Sequence, residues 1–132
     1  MEEQLITYRT AKLAKEKGFD VAVKFYYQIN GELVQNSTLA FSNSFWTDSV
    51  HVYTAPTQSL LQKWLREEYK ICAYLDWREM NAVICTLYED NEIKVFKYWS
   101  IIMKKPDEAL EEVLLEALKL IDTEIIKENL AC

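Results

Sequence analysis

The side chains able to do chemistry are few: one histidine, His51; three cysteines, Cys72, Cys85 and Cys132; and the carboxylates Asp76, Glu79, Glu89, Asp90 and Glu92 around two turn-like segments. A histidine-activated nucleophile would pair His51 with a serine or cysteine and an orienting acid, and Ser49 and Asp48 lie close in sequence. Closeness in sequence does not make a triad, and no strained G-x-S-x-G elbow presents a nucleophile. His51 therefore reads as an exposed loop histidine. A zinc site needs ligands at regular spacing, which one histidine and three scattered cysteines do not supply. Two carboxylates across a cleft can do acid–base work, but charged residues also mark solvated turns, and that reading is preferred. No catalytic, cofactor-binding or metal-binding residues are assigned. With two glycines, neither the dinucleotide nor the P-loop signature can be written.

Cys72 and Cys85 fall on strands joined by a short turn and could share a face as near-diagonal neighbours. A redox pair is one reading. Two small buried hydrophobes is the preferred one, because no basic residue is placed to lower a thiol pKa. An odd number of cysteines with no C-x-x-C argues against a disulfide framework. Cys132 is terminal and expected to be exposed.

Two features point to binding instead of catalysis. Phe41, Phe45, Trp46 and Tyr53 are rigid aromatics set in polar sequence, where they could form a contact surface. The preferred reading folds them back as a satellite of the core, as an irregular strand. The second feature is the last helix, whose core stripe is Leu110, Val113, Leu114, Ala117, Leu118 and Ile121. Leu115, and Ile126 if the helix reaches it, point about a third of a turn or more away from that stripe. A helix apolar beyond one stripe meets a partner or is deeply buried, and a two-fold homodimer is the commonest partner.

The elements that position these residues follow from periodicity. Thr7 caps a first helix, with Ile6 and Ala11 placed as a hydrophobic staple and Gly18 as its stop. Residues 21–29 alternate as a half-buried strand, and Asn30-Gly31 predicts a type I′ turn into a return strand over 32–35. The segment 36–53 has poor periodicity. Pro56 marks the start of a second helix running to Tyr69, capped by Thr54 or Thr57, with Leu60, Leu61, Trp64 and Leu65 on one side. Runs at 71–77, 82–88 and 93–102, separated by short links, predict an antiparallel meander. The last helix starts near Pro106-Asp107, its early acids suiting the helix dipole. The expected fold is α+β: one antiparallel sheet of about five strands, covered on one face by about three helices, in a single domain over 1–132.

Half of the 132 residues are hydrophobic, enough for a sizeable core. The formal charge of −6 disfavours nucleic-acid binding by counterion release. No run approaches the ~18 apolar residues of a membrane span, and the acidic N-terminus does not resemble a signal peptide. Cytoplasmic localisation is the expectation.

Three blocks, LITYRTAKLAKEKGF, YTAPTQSLLQKWLREEY and ALEEVLLEALKLI, together resemble a family of small uncharacterised proteins of Bacteroides-type gut bacteria and their phages and prophages. The resemblance covers roughly a third of the chain as capped amphipathic helices. It implies a cytoplasmic bacterial protein associated with mobile elements, and brings no activity, cofactor or catalytic residue to transfer. The leading expectation is a non-enzymatic binding or interaction protein whose partner is another protein or a second copy. The alternatives are a small-ligand-binding domain or minor enzyme, with a pocket between sheet and helices lined by Tyr26, Trp77 and Tyr98, and an acidic inhibitor of a host nucleic-acid enzyme.

Overall fold

The structure is a computed structural model that describes residues 4–35, 39–45, 51–87 and 93–122. Within the span read as one α+β domain, the chain divides into two compact units, Met1–Thr57 and Gln58–Cys132. Each has its own three-stranded sheet.

The first unit opens with helix α1 (Tyr8–Glu16). Thr7 has extended backbone and its hydroxyl accepts the Thr10 N–H at 3.4 Å, as an N-cap should. Ile6, Ala11 and Ala14 are buried. Gly18 takes φ +95° after the last turn, where a side chain would be strained. Strands β1 (Phe25–Tyr27), β2 (Leu33–Gln35) and β3 (Tyr53–Thr54) form an antiparallel sheet in the order β2-β1-β3. β1 is far shorter than the alternating run 21–29 because its partners are short, β3 only two residues long. Beyond them the alternation continues only as a single bridge between Val23 and Phe41.

The β1–β2 turn is not type I′. Gly31 N–H donates to the Gln28 carbonyl at 2.8 Å, and Gln28 N–H to the Glu32 carbonyl at 2.9 Å, closing a three-residue loop. Gly31 alone in that loop has positive φ. This is a type I turn with a glycine bulge. The Asn30 side chain accepts the Glu32 N–H at 2.9 Å, which holds Asn30 in the turn without the left-handed backbone that type I′ needs.

The second unit holds α2 (Gln58–Tyr69), β4 (Ile71–Asp76), β5 (Asn81–Leu87), β6 (Ile93–Ser100) and α3 (Pro106–Lys119). α2 starts two residues later than the proline suggests. The Pro56 carbonyl accepts the Ile6 N–H at 3.0 Å and Thr57 bridges Leu5, so both are spent on extended pairing. Leu61, Trp64 and Leu65 are buried and Leu60 is half-buried, as the stripe requires. α3 begins at Pro106 and buries Ala109, Val113, Leu114, Ala117 and Leu118.

The expected single five-stranded sheet is corrected to two sheets, the second an antiparallel meander in the order β4-β5-β6. Alternation shows that a run pairs, not with which run. Here β1 takes β2 and β3 on its two edges, which leaves the later strands to pair among themselves. The α+β class and the three helices stand. α2 and α3 pack on β4, and α3 also on β5. The Gln58 amide ties the two helices, donating to the Asp107 carbonyl at 3.0 Å and the Glu111 carboxylate at 3.1 Å.

Candidate functional site

Apart from Cys72 and Cys85, the reactive residues among those described do not gather. His51 is exposed. Asp76 is a turn-former: one carboxylate oxygen accepts the Arg78 N–H at 3.1 Å and the Glu79 N–H at 3.3 Å, closing the β4–β5 hairpin. Glu89, Asp90, Glu92 and Cys132 lie outside the described residues. Among the described residues no three of His, Cys, Asp and Glu are grouped to hold a metal ion.

The aromatic segment is partly absorbed into the first unit. Phe41 is half-buried and exchanges both backbone hydrogen bonds with Val23, at 2.9 and 3.0 Å. Phe45 ends a 3-10 turn, Asn43–Phe45, and Trp46 lies outside the described residues. Tyr53 sits in β3, its ring edge-on to Tyr8 with centroids 5.7 Å apart. Lys15 Nζ stands 5.2 Å over the same ring and donates to the Val52 carbonyl at 2.9 Å. The 3-10 turn is fixed at its start by Asp20, whose carboxylate accepts the Ser44 N–H at 2.7 Å. That bond, set against a desolvation that opposes it, holds the Asp20 carboxyl below its ordinary value. Leu115 is half-buried on α3, and Ile126 is outside the described residues. Of the other named positions, Tyr26 is half-buried in β1, and Trp77 is exposed in the β4–β5 turn.

Tyr98 leads to a surface the sequence reading missed. Strand alternation sends Ile71, Ala73, Ala82, Ile84 and Thr86 to the helix-covered face of the second sheet, and all are buried. The opposite face presents Cys72, Tyr74 and Asp76 from β4, Asn81, Val83 and Cys85 from β5, and Val95, Tyr98 and Ser100 from β6. In register they form three rows, Cys72–Cys85–Val95, Tyr74–Val83–Tyr98 and, at the hairpin end, Asp76–Asn81–Ser100. Val83 and Cys85 are buried, while Tyr74 is 39%, Val95 52% and Tyr98 67% exposed. At the hairpin end Ile101 N–H donates to the Met80 carbonyl at 2.9 Å, which brings Ile102 and Met103 beside the turn that carries Trp77. Ile102 and Met103 are exposed too. The signal was available: Val95, Lys97 and Trp99 alternate with Phe96 and Tyr98. What it lacked was which parity faces the helices. A register irregularity opposite Ile84/Cys85 shifts that parity within β6.

The two cysteines are closer than near-diagonal. Cys72 and Cys85 are directly opposed in the β4–β5 register, with both side chains on the same face. Burial, then the neighbouring Cys72 sulfur, pushes the Cys85 thiol up to about 11. Tyr74 is also raised, first by burial and then by the charges of Cys85, Asp76 and Cys72.

No family model, no curated protein and no solved structure matches the chain.

Proposed function

We propose that the protein is a non-catalytic interaction module that uses the helix-free face of the β4-β5-β6 sheet, and that the occupant of this face is a second copy of the chain. The observation that carries the reading is the uncharged row of exposed Tyr74, Val95 and Tyr98 around a small apolar centre. Tyrosine suits such a surface, since it supplies a large rigid contact with a polar tip. Charge bears on self-association. Two chains of net charge −6 repel each other, and they meet most easily where carboxylates are fewest; on the described strands of this face that is one, Asp76 at the hairpin end. A two-fold axis through this face brings like residues together.

Size sets the strength. Three strands about 4.8 Å apart and some six residues long, at about 3.3 Å each, give a face of about 300 Å². A standard stable interface takes about 800 Å² from each partner. The association is therefore weak and seen only at high protein concentration. The resemblance of the three helical blocks supports a phage or prophage accessory protein as its setting. The test is a concentration series by NMR. Side-chain shifts confined to Tyr74, Val95, Tyr98 and their neighbours are expected. Shifts centred on Leu115 would move the contact to α3, and shifts nowhere would end the self-association reading.

A further inference from the structure

We propose that Cys72 and Cys85 are a reversible dithiol–disulfide pair, closed across the β4–β5 ladder by exchange with a small-molecule disulfide. The proposal is independent of self-association, because it concerns one chain only.

The ladder geometry suits the bond. Ala73 turns its carbonyl away from β5, to the Gln62 side-chain amide at 2.6 Å. Successive residues of an antiparallel strand alternate in the direction of their N–H and C=O groups, so Cys72 faces β5 and exchanges both backbone bonds with Cys85. The α-carbons of such a pair stand about 5.5 Å apart, in the middle of the disulfide range of roughly 4.4–6.8 Å. Both side chains leave the sheet on the same face. The β-carbons of a hydrogen-bonded pair stand toward the far end of about 4.5–5.5 Å, against roughly 3.5–4.5 Å in a disulfide, so closure draws the two strands together by about 1 Å at this position and leaves a bond that is readily reduced.

The two thiols differ in the way an exchange sequence requires. Cys72 is half-buried on β4, an edge of its sheet among the described residues, and a small disulfide can reach it. Cys85 is buried on the central strand and is out of reach. The Cys72 thiolate attacks one sulfur of the reagent; the reagent's S–S bond breaks, the Cys72 mixed disulfide forms, and one thiolate leaves. Cys85 then loses its proton to solvent, and its sulfur attacks the Cys72 sulfur. The Cys72–Cys85 bond forms as the mixed disulfide breaks, and a second thiolate leaves. The chain has lost two electrons and two protons, and the small disulfide has become two thiols. One cause that holds Cys85 protonated, the charge of Cys72, ends when the mixed disulfide forms. The resolving step is therefore easier than first attack by Cys85 would be.

The test uses the reduced full chain, and the same chain carrying Cys132→Ser to remove the third thiol. Each is incubated with oxidised glutathione, alkylated and digested with trypsin, which separates Ile71–Arg78 from Glu79–Lys94. The expected result is simultaneous loss of both thiols and recovery of these two peptides joined, with dithiothreitol restoring them. Linking is expected to be at least about tenfold faster in native buffer than in urea, since the fold supplies the proximity. A stable glutathione adduct on Cys72, two thiols that stay alkylatable, or a link that forms only in urea would each overturn the proposal.

Discussion

Asn43 shows how much one buried polar side chain can hold. Its amide donates to the Phe19 carbonyl at 2.7 Å, and its oxygen accepts the Thr54 N–H at 3.0 Å. It thereby pins β3 and the segment after α1 to the 3-10 turn. Asn43→Ala removes both of these buried hydrogen bonds and is expected to cost about 2–3 kcal/mol, read from urea unfolding. Cys85 makes a prediction in pH. Its thiol is raised from 9.0 to about 11 in the folded chain. Between these values the unfolded chain has released the proton and the folded chain has kept it, so stability falls as pH rises. Below pH 9 this group contributes no slope. Tyr74, raised on the same face, adds a fall of the same sign above its ordinary 10.0. Urea melts across this range should show Cys85→Ala losing the part of the slope that begins at the lower pH. An unchanged slope in that variant would contradict the assignment.

At the scale of elements, the helices and the meander were legible, because each is a local signal. Thr7 and Gly18 bracket α1, the Leu61, Trp64 and Leu65 stripe defines α2, and Pro106 opens α3. Two elements were misread where a backbone group had a distant use. Pro56 looked like a first-turn proline, but its carbonyl pairs with Ile6. Asn30-Gly31 looked like type I′, but the Asn30 side chain favours a different turn by holding Glu32. The candidate site was less legible still. Which side of β6 faces the helices depends on a register shift that no local pattern announces. Lys70, directly after α2, has φ +58°, a left-handed position that favours glycine. Lys70→Gly is expected to raise stability by about 0.5 kcal/mol, the strain relieved being partly offset by the greater freedom of the unfolded chain. A fall in the thermal midpoint would contradict this.

For the whole molecule, the second unit is covered by helices on one face and open on the other, and among the described strand residues of the open face the one charged side chain is Asp76, at its hairpin end. Lysines pair with acids elsewhere in this unit: Lys97 and Lys119 with Glu116, and Lys104 with Glu112. Such surface pairs contribute little to stability, and they lie apart from the open face, whose Asp76 carboxylate is taken up by the Arg78 and Glu79 N–H groups at the hairpin end. In an acidic chain the part of that face built from Tyr74, Val95 and Tyr98 is where two copies can approach. A single aspartate there should end the association, because a two-fold axis doubles every charge placed near it. The direct measurement is sedimentation equilibrium of wild type, Tyr98→Asp and Leu115→Glu up to millimolar concentration. Tyr98 is 67% exposed, so its replacement should leave stability within about 0.5 kcal/mol. The account predicts weak dimers for wild type and Leu115→Glu, and a monomer at every concentration for Tyr98→Asp. A wild-type chain that stays monomeric throughout, or a Tyr98→Asp chain that dimerises as wild type does, would contradict it.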